Sequence, residues 1–265
     1  MRFQDKTYVM GIVNATPDSF SDGGRYLDPD QAVEHAVRLV QEGADLIDIG
    51  AESTRPGFTP VGFEEEWRRL EPILAKVGQR VEVGISIDTY KPEIARQAIA
   101  HGATIINDIW GGKRDATMYE VIAASDVTYV MMHNNTDEPI YEGDIVMKVV
   151  TDLRHQIDHA QSCGVKREQI VLDPGIGFGK TVEQNIALLA KLEQLVALGY
   201  PVLIGTSRKS MIGHVLSLPV DQREEGTAAT VAIAVSKGAS IVRVHDVLTI
   251  KRVTTMSDAI IRYHD

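Results

Sequence analysis

The chain holds a single cysteine, Cys163, among its 265 residues. No disulfide can form within it, and this usage fits a reducing, cytoplasmic setting. Positive charge is also scarce. Lys and Arg number 27 against 37 Asp and Glu, for a net charge of −10. A nucleic-acid binder needs a basic footprint, so the balance argues against that class. It leaves room for a small anionic substrate, because a few local Arg and Lys side chains reverse the sign of a pocket. Residues 1–11 carry Arg2, Asp5 and Lys6 and lack a long apolar run. Neither a signal peptide nor a membrane span is expected there. With no low-complexity tract or long linker, one domain over residues 1–265 is the expectation.

What is present reads as an ordinary globular chain, 44% hydrophobic and 24% charged, long enough for a sizeable core. Short β-rich apolar runs recur at 8–13, 46–49, 83–87, 104–106, 127–131, 169–172, 202–204 and 241–244. Near-continuous apolar runs suit strands buried on both faces of a parallel sheet. Helical spacing predicts helices at 30–41, 64–77, 92–100, 116–124, 145–163, 184–198 and 227–237. This alternation points to a (β/α)₈ TIM barrel. A doubly wound open sheet would usually show a Gly-rich dinucleotide turn after its first strand, and Asn14-Ala-Thr-Pro stands there instead. Gly43-Ala-Asp, Gly102-Ala-Thr and Gly238-Ala-Ser share one form. Each reads as a helix ending on Gly before the next strand, a repeated turn at the barrel bottom.

Barrels of this kind carry their sites where strands end. Those positions hold Asn14, then Glu52-Ser-Thr-Arg55, Asp88, Asn107 with Asp108, Met132 with His133, Asp173, Ser207-Arg-Lys-Ser210, and Arg243 with His245. A lone Asp or Asn after a strand is more often a helix cap or turn residue, and Asp108 is read that way. Convergence at all eight ends is harder to assign to caps. Asp88, Asn107 and Asp173 together suit a heterocycle rich in N–H donors, such as a pterin or guanine edge. Arg55, Lys209, Arg243 and His245 form a cationic half that suits a bound oxyanion, phosphate being the simplest. Arg243 and His245, two apart on a strand, should face the same side. The loops at 14–27 and 50–62 are long and rich in Gly, Pro, Ser and Asp, as binding loops often are.

Three features are decoys. The stretch from Gly175 to Thr181 mimics a nucleotide P-loop, but Pro174 takes the place of the first Gly. His155 and His159 have zinc-pair spacing, yet Gln156 replaces the catalytic Glu, so a solvated helix face is the better reading. Cys163 reads as packing rather than as a nucleophile.

Ordered along the chain stand Gly11-Ile-Val-Asn-Ala-Thr-Pro-Asp-Ser-Phe-Ser-Asp-Gly-Gly, Asp48-Ile-Gly-Ala-Glu-Ser-Thr-Arg-Pro-Gly, Ile87-Asp-Thr-Tyr-Lys-Pro and Ile106-Asn-Asp-Ile. Leu172-Asp-Pro-Gly-Ile-Gly-Phe-Gly-Lys, Gly205-Thr-Ser-Arg-Lys-Ser and Val242-Arg-Val-His-Asp-Val follow. In this order and spacing the chain resembles the dihydropteroate synthase family from near Val9 to near Val247. It departs at Tyr90, where the family often has a small residue, and in the short connection after His133. The resemblance implies a transferase that joins a pterin diphosphate to para-aminobenzoate in folate biosynthesis. It implies that Asp88, Asn107, Asp173 and Lys209 hold the pterin, with Ile109, Met132 and Phe178 around its ring. It places the diphosphate on Asn14, Arg55, Arg243 and His245, with Mg²⁺ near Asn14 and Asp22. Para-aminobenzoate, and the sulfonamides that mimic it, would meet Phe20, Thr54, Pro56 and Ser210. Asp88, Lys209, Arg243 and Asp22 would serve the chemistry, in a homodimer formed through helices away from the mouth. Two other readings share the pterin set: a methyltetrahydrofolate:corrinoid methyltransferase, and a non-catalytic pterin-binding paralogue. The first has no diphosphate to grip, and the second should have lost its loop residues.

Overall fold

The computed structural model describes residues 3, 5–15, 29–52, 61–138 and 140–263. Eight parallel strands alternate with helices. The strands are β1 (Tyr8–Asn14), β2 (Leu46–Gly50), β3 (Gly84–Asp88), β4 (Ile105–Asp108), β5 (Thr128–Met132), β6 (Ile170–Asp173), β7 (Leu203–Ile204) and β8 (Ile241–Val244). They run in the order β6-β5-β4-β3-β2-β1-β8-β7. A bridge between Leu172 and Val202 joins β6 to β7 and closes the ring. The (β/α)₈ barrel expected from the sequence is therefore the fold.

Most strands extend one or two residues beyond their apolar runs. Asn14, Asp88, Asn107, Met132 and Asp173 are paired into the ladder rather than standing in the loops after it. Backbone pairing continues where the side chains turn polar, so hydropathy marks the strand ends too early. The helices are α1 (Pro29–Gln41), α2 (Phe63–Arg80), α3 (Pro92–Ala100), α4 (Thr117–Ala123) and α5 (Ile145–Ser162). Then come α6 (Val182–Ala190), α7 (Glu193–Val196), α8 (Ser210–Leu216), α9 (Glu224–Ser236) and α10 (Val247–Ile261). The stretch read as one helix over 184–198 is two, with a break that sets Leu192 and Leu195 into the core. Periodicity also missed α8 and α10. α10 is rich in Val, Thr and Ile, which favour strands. It forms because Asp246 caps its first turn through the Thr249 N–H and because Val247, Ile250 and Thr254 are buried.

The repeated Gly turns recur as expected at barrel-bottom helix ends, and Gly164 adds a fourth. Gly43, Gly102, Gly164 and Gly238 have φ of 105°, 96°, 94° and 98°. In each the following N–H reaches back to the helix: Ala44 to Leu39, Ala103 to Ala98, Val165 to Ala160 and Ala239 to Ala234. These are Schellman closures, which need the left-handed residue.

Two apolar layers follow from the period of two along each strand. Outward residues such as Ile47, Ile49, Ile87, Ile106 and Val242 pack under the helices. Inward residues Met10, Leu46, Ile105, Val130, Val171, Leu203 and Ile241 fill the barrel bottom with Phe3. One step higher on the same inward rows stand Ile12, Asp48, Ser86, Asn107, Met132, Asp173, Gly205 and Arg243. The polar site is thus set on a packed apolar plug.

Candidate active site

Above that plug the barrel mouth forms a cavity open to solvent. Its lining brings together Asp88, Asn107, Ile109, Met132, Asp173, Phe178, Lys209, Arg243 and His245, all singled out from sequence. Arg243 in β8 and His245 just after it both face the cavity, as their spacing requires. Asn14 ends β1 and Ser210 opens α8, neither among the lining residues. Phe20, Asp22, Thr54, Arg55 and Pro56 lie outside the described residues.

A residue missed in the sequence stands at the centre of the polar layer. Asp48 is fully buried in the middle of β2. It accepts from Arg243 Nε at 2.6 Å, Ser86 Oγ at 2.5 Å and Asn107 Nδ2 at 3.2 Å. A charged residue inside the run Leu-Ile-Asp-Ile-Gly was the available signal, because a buried carboxylate must be partnered. Arg243 is also shared with Asp88, whose Oδ2 accepts from Nη2 at 2.9 Å. The guanidinium is therefore a clamp between two carboxylates, not a cation wholly given over to an oxyanion. Burial works against its charge, but Asp48 and Asp88 outweigh that and hold its pKa above the ordinary value. Burial pushes the Asp88 carboxyl up to about 7, against the pull of Arg243 and with Asp48 adding to the rise.

These bonds leave a defined set of acceptors. Asp88 uses Oδ2, Asn107 uses its amide nitrogen, and Asp173 uses Oδ1 to accept from the Gly175 N–H at 2.7 Å. Asp88 Oδ1, Asn107 Oδ1 and Asp173 Oδ2 take no hydrogen bond among the described residues. Burial raises Asp173 as well, with the Gly175 N–H and Lys209 pulling it back. Lys209 Nζ donates to the Ile176 carbonyl and lies 4.3 Å from the centre of the Phe178 ring. Burial lowers its ammonium to about 8, with Asp173 opposing the fall. Ser207 Oγ accepts from the His245 backbone N–H at 3.2 Å and stands 2.9 Å from His245 Nδ1. If the hydroxyl donates to Nδ1, Nε2 carries the ring proton and can donate to an anion.

The remaining strand-end residues sort away from the cavity. Asp108 accepts from the N–H groups of Trp110 and Gly112 and from Tyr129 Oη, each at 2.8 Å, the local cap read from sequence. His133 is buried against α5, its Nε2 3.0 Å from Asp152. His155 and His159 are exposed on α5, and Cys163 packs against the core at the helix end.

The sequence pattern of the family described as pterin binding enzyme matches residues 10–245. A dihydropteroate synthase from Clostridium beijerinckii is 51% identical over 97% of this chain and 96% of its own. The chain belongs to the dihydropteroate synthase family. The fold of its solved members is the same. The structure of a dihydropteroate synthase from Clostridium difficile in the presence of pteroic acid superposes with a TM-score of 0.93 at 49% identity. It covers 97% of this chain and 98% of that one. The Xanthomonas albilineans synthase with 4-aminobenzoic acid also reaches 0.93, at 42% identity over 98% of this chain and 95% of its own. At such identity the methyltransferase and the non-catalytic paralogue give way to the synthase, a transferase. No helix among the described residues is long and apolar enough to cross a membrane.

Proposed function

We propose that this chain condenses 6-hydroxymethyl-7,8-dihydropterin diphosphate with para-aminobenzoate, giving 7,8-dihydropteroate and diphosphate. The observation that carries the proposal is the trio of acceptors that take no hydrogen bond among the described residues, Asp88 Oδ1, Asn107 Oδ1 and Asp173 Oδ2, on one cavity of a family whose solved members were obtained with pteroic acid and 4-aminobenzoic acid. A pterin edge offers ring and amino N–H donors that match them. Lys209 supplies a donor to the ring's own acceptors, and Ile109, Met132 and Phe178 give the heterocycle its apolar faces.

The reaction breaks the bond from the pterin methylene carbon to the diphosphate oxygen, and the electron pair leaves with diphosphate. Positive charge spreads into the pterin, beside the carboxylates of Asp88 and Asp173. The neutral arylamine then donates its lone pair to the carbon, and its surplus proton passes to water or to the departing anion. His245, held by Ser207, Asn14, Arg55 and the outer nitrogen of Arg243 would receive the diphosphate. Phe20, Thr54, Pro56 and Ser210 would surround para-aminobenzoate, and sulfonamides would compete there.

Mg²⁺ would be held by the Asn14 side-chain oxygen with Asp22. Among the described residues no cluster of three His, Cys, Asp or Glu side chains could hold a metal. That fits an ion carried mainly by substrate phosphate and water, as Mg²⁺ commonly is. When bound, it would offset charge on the leaving group. We further propose a single catalytic domain, working as a homodimer in the cytoplasm. Mixing pterin diphosphate, para-aminobenzoate and Mg²⁺ tests the proposal: dihydropteroate and diphosphate should form in equal amounts. Well-folded protein that makes neither would overturn it.

A further inference from the structure

The stretch that mimics a P-loop leaves Lys180 with no phosphate to hold, and the structure shows what its ammonium does instead. Nζ donates to the carbonyl oxygens of Gly175 at 2.9 Å and Phe178 at 3.0 Å, both on its own loop after β6. It donates also to the His133 carbonyl at 3.2 Å, on the loop after β5. No carboxylate lies within ion-pair distance of it among the described residues. Its hydrogen bonds among the described residues are all to main-chain oxygen, and burial lowers the ammonium to about 7, with Asp173 opposing the fall.

Those two loops meet backbone to backbone. Gly175 and Gly179 have φ of +66° and +62°. A Cβ at Gly175 would stand 1.9 Å from the His133 oxygen, and one at Gly179 would stand 2.3 Å from the Asn135 carbonyl. Carbonyl groups crowded at such a seam need donors. Lys180 serves three of them. The seam continues to a third loop, where Asn134 Nδ2 donates to the Ile109 carbonyl at 3.0 Å. It therefore runs behind Ile109, Met132 and Phe178, the residues proposed to sandwich the pterin. From the cavity side Lys209 takes the Ile176 carbonyl. The loop carrying Phe178 is gripped by one lysine in front and another behind.

We infer that Lys180 is a positioning residue for the pterin site, its ammonium locking the loop at 174–179 onto the loop at 133–136 and so fixing the Phe178 ring over the heterocycle. The inference rests on the pterin reading given above. Without the ammonium, three carbonyls lose their shared donor and Phe178 must be ordered by the ligand itself, at a cost in affinity. The diphosphate contacts belong to other strand ends and should not feel it.

The test is calorimetric titration of the wild type and Lys180→Met with two probes, 6-hydroxymethylpterin and inorganic diphosphate with Mg²⁺. Pterin affinity should fall about 10- to 100-fold, the range for losing charged hydrogen bonds. Diphosphate affinity should change less than about threefold, since its contacts are separate. In steady state KM for the pterin substrate should rise while kcat holds, the sign of lost ground-state binding. If Lys180→Met yields no folded protein, Lys180→Arg, which keeps the charge but not the geometry, takes its place with the same probes. Loss of neither ligand, or equal loss of both, overturns the inference. Wild-type protein that fails to bind the pterin would instead overturn the reading on which it rests.

Discussion

At the scale of single residues, the site couples charges that neither partner would hold alone in a buried place. Lys209 shows the cost to stability. Its ammonium is lowered to about 8 from the ordinary 10.5, so the unfolded chain holds that proton more firmly than the folded one. The resulting penalty is complete below pH 8 and fades as pH rises toward the unfolded value. Lys209→Met should therefore stabilise the protein at pH 7, by about 1–3 kcal/mol, while abolishing tight pterin binding. Denaturant melts at pH 7 and near pH 10 measure this, and a gain that does not shrink at the higher pH would count against it. Asp48 makes the opposite case. Its two oxygens orient Arg243, Asn107 and Ser86 together. Asp48→Asn exchanges one acceptor for a donor facing the guanidinium, and should cost about 3–5 kcal/mol of stability. Pterin affinity should fall with it although the residue is absent from the cavity wall. A variant of wild-type stability that binds the pterin normally would show the clamp to be dispensable.

At the scale of elements, the barrel is tied at its bottom by a second, partly buried carboxylate. Asp45, just before β2, accepts from Lys6 at 2.6 Å, Lys251 at 2.7 Å and the Val9 N–H at 2.9 Å. It joins the entry of β1 to the middle of α10. Burial works to raise its pKa, but Lys251 and Lys6 outweigh that and hold it below the usual carboxylate value. The bond set is thus intact above pH 4 and is lost as acid protonates the group. Asp45→Asn should cost about 1–3 kcal/mol at neutral pH, and the difference from wild type should shrink as pH falls through the lowered folded-state pKa. A difference that persists in acid would place the effect elsewhere. Elements were also where sequence and structure parted. Strong alternation of Val- and Ile-rich runs with amphipathic stretches made the barrel legible, and strand-end logic found eight residues of the cavity wall, Ser207 among them, while Ile109 and Phe178 came from the family resemblance. Asp48 escaped because it sits within a strand, where a polar residue looks like noise in an apolar run. α10 escaped because its β-branched composition conceals a helix that tertiary packing enforces. Which bonds bind Arg243 could not be read at all, since β2, β3 and β8 come together only in the closed ring.

At the scale of the whole molecule, the outer surface is uneven. Large apolar side chains stay exposed on α9 and α10: Ile233 at 49%, Leu248 at 45%, Met256 at 61%, Ile260 at 65% and Ile261 at 45%. These two helices pack directly on each other, so their outer faces form neighbouring surface. Single exposed apolar residues are ordinary, but a concentration on one helix pair is where the proposed homodimer is expected to form. A second copy of the chain is the partner expected, because a two-fold axis lets one apolar patch bury itself against its twin. The mouth, ringed by Asp88, Asp173 and Arg243, is unsuited to that role and stays open to substrate. Met256→Glu with Ile260→Glu would place two carboxylates on each side of the contact, four in all. Such charges resist burial without partners. Sedimentation equilibrium should then show monomers where the wild type is expected to show dimers. Because the substitutions are on the outer face of α10, each monomer should keep its fold and its affinity for the pterin. A wild-type chain that sediments as a monomer, or a double variant that stays dimeric, would move the interface away from these helices.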